Sequence, residues 1–269
     1  MEVEILEKSE NTVRFILSDA SPPFANALRR IMIAEVPSMV IDEVIIVENT
    51  SAMNDETLAH RLGLIPLKTD LKTYVLPEDC TCKSDLGCNR CRVILTLEAE
   101  AGDSTQEVYS DEFKSEDPEV IPVGRIPIVK LTSGQKVRLE AYARLGRGKD
   151  HAKWQPVSAC AYKFLPRITV NQKKCDVCGE CVTECPKKIL KIKGGKLEIT
   201  EILKCTLCRG CVNACPKGVH AINVDWDETA FIFRIESTGA LPVDQIVKEA
   251  TNILEGKTQA FSKEISRLR

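Results

Sequence analysis

The stretch CDVCGECVTECP, Cys175 to Pro186, returns as CTLCRGCVNACP, Cys205 to Pro216, and both read Cys-x2-Cys-x2-Cys-x3-Cys-Pro. Every cysteine of the second copy lies 30 residues after its counterpart. Nothing else in the chain restricts its folding as strongly. Three closely spaced thiolates can grip three corners of one iron–sulfur cube. The fourth, beyond a helical turn and followed by proline, crosses to the other cube. One [4Fe–4S] cluster then takes Cys175, Cys178, Cys181 and Cys215, and the other takes Cys205, Cys208, Cys211 and Cys185. Zinc on the same cysteines is the competing reading. Structural zinc, however, usually pairs two Cys-x2–4-Cys knuckles rather than runs of four.

This spacing is that of bacterial ferredoxins. The VTEC and VNAC segments are helix-forming, and KIKGGKLEI between them reads as a hairpin. A ferredoxin-like β-α-β-β-α-β module over 166–222 follows.

The chain has thirteen cysteines, and four more form an earlier group, CTCKSDLGCNRC, with Cys80, Cys82, Cys88 and Cys91. Four thiolates within twelve residues can make a tetrahedral zinc site that pins a loop at 80–91, with disulfides or an empty site as the alternatives. Cys160 is left over and reads as a small buried hydrophobe. The start, MEVEILEK, lacks the features of a secretory signal, and the apolar runs are strand-sized, so a cytoplasmic protein with no membrane contact is expected. In a reduced compartment so many cysteines point to metal rather than disulfides. With 37 basic and 39 acidic residues the chain has a net charge of −2, which predicts little direct contact with nucleic acid.

Outside the cysteines, VEILEK and TVRFILSD form a hairpin turning at Ser9-Glu10-Asn11. Ser21 caps a helix over 22–35 with Pro22 at its first position, and Phe24, Ala27, Leu28, Ile31 and Met32 recur at helical spacing. A strand over 39–49 and a short helix over 55–62 come next. Short strand-like runs then fill 67–165, a β-rich insert holding the first cysteine group. After the module, Phe231, Phe233 and Ile235 alternate as in a half-buried strand. A long helix from Pro242 carries Ile246, Ala250, Ile253, Leu254, Phe261, Ile265 and Leu268 in one stripe. That stripe either packs on its own domain or forms an interface. His60, His151 and His220 are scattered, and no catalytic constellation is visible.

Two blocks carry a family resemblance. NALRRIMIAEVPSMVIDEVIIVENTSAMNDETLAHRLGLIPL (26–67) and GKDHAKWQPVSACAYKFLPRI (148–168) closely resemble the assembly subunit of DNA-directed RNA polymerase. That family comprises the archaeal D-type subunit, the eukaryotic third-largest subunit and the bacterial alpha subunit. The resemblance implies an α+β protein with a split, alpha-like dimerisation domain (1–49 and 223–269). An insert domain (50–165) and the iron–sulfur domain (166–222) would lie between its halves. It implies that Phe24, Leu28, Ile31, Ile246, Ala250, Ile253, Phe261 and Ile265 face a smaller, L-type subunit. Large catalytic and small zinc-binding polymerase subunits would dock on the pair. Family members with four cysteines in the insert bind zinc there, although the gap after Cys82 is wider here than in the eukaryotic pattern. Arg29 and Arg30 match the family's N-x-L-R-R motif and by resemblance touch a large subunit; a solvated helix face is the alternative. All eight cluster positions are filled, which suits an anaerobic archaeon.

The function expected is a non-catalytic scaffold of transcription with two [4Fe–4S] clusters and a candidate zinc. The nucleotidyltransferase residues would sit on other subunits. A ferredoxin-type electron carrier or an oxidoreductase small subunit is the competing class.

Overall fold

A computed structural model describes residues 1–84 and 87–267. Along the chain run β1 (Glu2–Lys8), β2 (Thr12–Ser18), α1 (Pro22–Ala34), β3 (Pro37–Asn49), α2 (Asp55–Gly63), β4 (Val93–Glu100), β5 (Gln106–Tyr109) and β6 (Lys114–Ser115). There follow β7 (Pro127–Leu131), β8 (Lys136–Arg147), β9 (Val157–Val170), α3 (Glu180–Glu184), β10 (Leu190–Lys193), β11 (Lys196–Ile199), α4 (Gly210–Asn213), β12 (Ile222–Ser237) and α5 (Val243–Arg267). The chain divides into two compact units. One comprises Met1–Leu6, Arg14–Asn26 and Ala161–Phe233; the other comprises Glu7–Val13, Ala27–Cys160 and Arg234–Arg269. No helix among the described residues is long and apolar enough to cross a membrane.

Local chemistry accounts for several element ends. The first hairpin turns where the Ser9 N–H donates to the Thr12 carbonyl at 2.8 Å and the Thr12 N–H returns to Ser9 Oγ at 3.0 Å. Ser21 Oγ accepts from the Phe24 N–H at 3.4 Å, capping α1 ahead of Pro22. The helix stops before Pro37, with the Glu35 and Val36 N–H groups both turned onto the Ile31 carbonyl. Asn54 caps α2 through the Thr57 N–H, and Leu58 and Leu62 on one side of that helix are fully buried.

In the second unit β3, β8, β4 and β6 form a four-stranded sheet in that order, and β5 pairs with β7. Alternation sets the register: Val93, Leu95 and Leu97 lie opposite Ala143, Ala141 and Leu139, all buried in one core with Met39, Ile41, Leu58 and Leu62. Strand β3 slips register between Ile41 and Glu43 and again between Ile46 and Glu48. Such bulges re-aim side chains, and the first lies at Asp42.

The other unit contributes to a sheet ordered β1-β2-β12-β9. Here the expectation of a half-buried β12 is corrected. Phe231, Phe233 and Ile235 are buried, but so are Ala230 and Ile232, so both faces of Ala230–Phe233 are covered. The unbroken apolar run Ala-Phe-Ile-Phe is the sequence mark of two-sided burial. Phe15 stacks on Phe233 with ring centroids 5.1 Å apart, and Tyr162 meets Phe231 edge-on at 5.4 Å. From β9 to β12 the elements run strand, helix, strand, strand, helix, strand. β10 and β11 pair through Gly194 and Gly195, both at positive φ (55° and 72°), as a two-residue hairpin needs.

Candidate metal centres

The two cysteine motifs wrap in the same way. Val177 and Gly179 in the first, and Leu207 and Arg209 in the second, all have positive φ at positions 30 residues apart (57° and 88°, 58° and 60°). A left-handed conformation is rare for non-glycine residues and most costly for a branched one such as Val177. Its recurrence shows that both loops are bent by the same requirement, and a short helix follows each bend: α3 holds Cys181 and α4 holds Cys211.

Two hollows result. One is lined by Cys175, Cys178, Cys181 and Cys215, with Asp176, Ile192, Leu197 and Ile222. The other is lined by Cys185, Cys205, Cys208 and Cys211, with Lys187, Arg209, Ile189 and Val224. In each hollow three cysteines come from one motif and the fourth crosses from the other. Burial pushes the Cys211 thiol up to about 11, and its neighbours Cys185, Cys205, Cys181 and Cys208 add to the effect. Cys181 is raised for the same reasons, burial first and then Cys175, Cys215 and Cys178. Thiols facing one another in an apolar hollow ionise together only when a cation shares their charge.

The cysteines of the insert are packed differently. Among the described residues, only Cys80, Cys82, Cys88 and Cys91 bring three or more ligand atoms within 4.8 Å of one another. Their sulfurs stand 3.7 Å (Cys80–Cys88), 3.8 Å (Cys82–Cys91) and 3.9 Å (Cys88–Cys91) apart. A tetrahedron with Zn–S of about 2.3 Å has edges of about 3.8 Å. The separations are far from the roughly 2.0 Å of a disulfide, and all thirteen cysteines are free thiols. The Cys88 N–H donates to Cys91 Sγ at 3.2 Å, and the Cys91 and Arg92 N–H groups close a turn on the Cys88 carbonyl at 2.9 Å. The backbone N–H of Arg90 holds the Cys88 thiol down at about 7, whereas burial pushes Cys91 up to about 12. The donor set and edge lengths fit one zinc ion. Among the described residues the eight module cysteines bring no three of their sulfurs within 4.8 Å of one another, a spacing that suits a cluster rather than a single ion.

The apolar helices are used in two ways. On α5, Ile246 and Ala250 are fully buried and Ile253 and Leu254 half-buried, whereas Phe261 is 69% and Ile265 46% exposed. Leu268 lies outside the described residues. On α1, Leu28, Ile31 and Met32 are buried and Phe24 half-buried; Arg30 is exposed and Arg29 half-buried. Lys257 of α5 pairs with Glu35 at 2.5 Å. Cys160 is a half-buried thiol pushed up to about 12 by burial, 4.0 Å from the Arg29 carbonyl.

Sequence reasoning missed a charged network in the 148–156 block. Asp42, re-aimed by the bulge in β3, accepts from Lys153 Nζ at 2.5 Å and pairs with Arg144. Lys153 also reaches the Ile41 carbonyl at 3.3 Å and lies 4.4 Å from the Trp154 ring centroid. Trp154 is buried against Gly146, where any Cβ would lie 2.4 Å from the indole. The signal in the sequence was an acidic pair, Asp42-Glu43, interrupting an apolar strand. The histidines are also less scattered than their numbers imply. His60 and His151 line one groove of about 260 Å³ with Asp42 and Lys153, and His151 Nδ1 accepts from the Lys153 N–H at 3.0 Å, capping the turn that presents Trp154.

Against known proteins, the family description "RNA polymerase Rpb3/Rpb11 dimerisation domain" matches residues 14–258. The DNA-directed RNA polymerase subunit Rpo3 of Archaeoglobus fulgidus is 43% identical over 268 residues, covering 99% of this chain and 98% of that protein. The protein of the same name from Methanosarcina mazei is 45% identical over 260 residues, 96% of each chain. That of Pyrococcus horikoshii is 40% identical over 273 residues, 100% of this chain and 99% of its own.

Proposed function

Because the chain belongs to the RNA polymerase Rpb3/Rpb11 dimerisation family, we propose that it is a non-catalytic core subunit of a DNA-directed RNA polymerase that works as an assembly platform. Its first partner is a smaller, L-type subunit, and the large catalytic and small zinc-binding subunits dock on the resulting pair. The observation that carries the platform reading is α5: its first half is buried within the chain, while Phe261 and Ile265 near its end remain uncovered. A solvent-exposed apolar stripe continuing a buried one is what a helix looks like when a second chain completes its packing. Arg30 on the exposed side of α1 is available to a large subunit.

In this reading residues 1–49 and 223–269 form the dimerisation domain, 50–165 the insert and 166–222 a ferredoxin-like module. Cys80, Cys82, Cys88 and Cys91 hold zinc and staple the insert loop, a role supported by the tetrahedral edge lengths. The module holds two [4Fe–4S] clusters, supported by the two hollows and their crossed sets of four cysteines. The clusters either keep the small module folded or make later assembly depend on oxidation state. An electron carrier is not favoured, because the family match extends over residues 14–258, far beyond the cysteine module.

The test is Cys175→Ser, Cys178→Ser and Cys181→Ser together in a chain co-expressed with its L-type partner. Retained pairing with failed recruitment of further subunits supports a cluster role in later assembly. Unchanged recruitment removes the redox-switch reading, and failure to pair even without the substitutions removes the platform reading.

A further inference from the structure

The two hollows are nearly repeats in backbone but not in charge. Behind the second motif, Lys163 of β9 donates Nζ to the Leu203 carbonyl at 2.8 Å and to the Cys205 carbonyl at 2.5 Å. Arg14 of β2 donates to the same Leu203 carbonyl at 3.3 Å. Both cations are half-buried, and among the described residues neither has a carboxylate within ion-pair distance. Lys187 and Arg209 stand on the rim of that hollow, and the Leu207 N–H points at Cys205 Sγ from 3.4 Å. Among the described residues the first hollow has no such set. Its charged lining residue is Asp176, paired with Lys217 at 3.1 Å; the backbone is alike in the two, the Cys175 and Cys205 N–H groups donating within their own loops to the Asn171 and Ile202 carbonyls at 3.0 and 2.9 Å.

Half-buried cations whose partners are carbonyls rather than carboxylates gain from an anion placed close by. A cubane bound by four thiolates carries net negative charge and gains more on reduction. Nearby positive charge and N–H···S contacts therefore favour the reduced state and raise its potential.

We propose that Lys163, with Arg14 and Lys187, is a positioning and charge-compensating set for the cluster held by Cys185, Cys205, Cys208 and Cys211, making that cluster the more easily reduced of the two. The inference rests on the cluster reading above. The module is then electrostatically graded: one centre is set towards the reduced form by two strands of the sheet, and the other is left nearly neutral. Lys163 acts through the Cys205 loop and touches no reacting atom, so its effect is read as a potential rather than as stability.

The experiment is a dithionite titration of the full-length chain, purified without oxygen and followed by electron paramagnetic resonance. The unaltered chain reduces in two separate one-electron steps. Lys163→Met moves the earlier step alone, lowering its reduced-to-oxidised ratio at fixed potential at least tenfold, about 59 mV for one electron. Lys163→Arg restores it. Lys187→Met, an exposed substitution that leaves folding intact, shifts the same step in the same direction. The inference is overturned if Lys163→Met and Lys187→Met leave both steps in place or move both equally, or if the two clusters titrate together. An unaltered chain that carries neither iron nor sulfide removes the cluster reading itself, a result separate from any of these.

Discussion

Replacing Asp42 by Asn keeps the side chain's shape and removes its charge. The Asp42 and Lys153 side chains are each only 14% exposed, so both charges are largely withdrawn from water, whereas Arg144 is 44% exposed. Breaking a buried pair by deleting one partner costs about 3–5 kcal/mol, because the other charge stays behind uncompensated. Lys153 would keep the Ile41 carbonyl and the Trp154 ring, which places its share near ~2–3 kcal/mol. The Arg144 arm, half in water, adds no more than about 0.5 kcal/mol. A loss of ~3 kcal/mol at pH 7 is therefore expected for the unit holding residues 27–160, read as a lower urea midpoint in tryptophan fluorescence. The pH dependence gives the sharper check. Burial alone would raise the Asp42 carboxyl, but Lys153 and then Arg144 outweigh it and hold it below its usual value. A depressed folded pKa contributes stability that is fully present above the unfolded value of about 3.9 and is lost as pH falls through the folded one. The gap between the two proteins should stay constant from neutrality to about pH 5 and close below about pH 4. A gap under about 1 kcal/mol at pH 7, or one that persists in acid, would show that the ion pairs do not hold this block in place.

Gly146→Ala should lower stability by about 1–3 kcal/mol in a thermal melt, since its Cβ would meet the indole of Trp154 at 2.4 Å; an unchanged melt would mean the indole moves freely. Cys88→Ser should abolish one equivalent of bound zinc by metal analysis. In the intact chain, acidification should release zinc as protons compete for the thiolates; zinc retained in the variant would place the ion elsewhere. Phe261→Asp, at a side chain 69% exposed, should leave the melt within about 0.5 kcal/mol yet weaken pairing with the L-type chain at least tenfold. Equal affinity would move the interface away from the end of α5.

The parts of this fold set by local chemistry could be read directly from the sequence. Ser9 and Thr12 close the first turn, Ser21 and Pro22 start α1, and Gly194-Gly195 turns a hairpin, because each depends on residues within three or four positions. The grouping of the cysteines into two crossed sets of four, each lining one hollow, follows the motif spacing; that these sets ligate clusters is proposed. What escaped depends on distant residues. Asp42 and Lys153 are 111 positions apart, and only the bulge in β3 turns one towards the other. Lys163 and Arg14 read as ordinary strand residues until the Cys205 loop folds onto them. Periodicity showed the whole stripe of α5 to be apolar, yet could not say that Ile246 and Ala250 are covered by their own chain while Phe261 and Ile265 are not. The same holds for β12, where alternation hid the burial of Ile232.

The central claim is that this chain is a platform on which a polymerase is assembled. Capture of the tagged, full-length chain from its own cells without oxygen, with the bound proteins identified by mass spectrometry, tests it most directly. The predicted result is recovery of the large polymerase subunits together with a small L-type partner in equal amount. Recovery with dehydrogenases or other oxidoreductases, and without polymerase subunits, would contradict it and make the paired cysteine motifs the business of the whole protein.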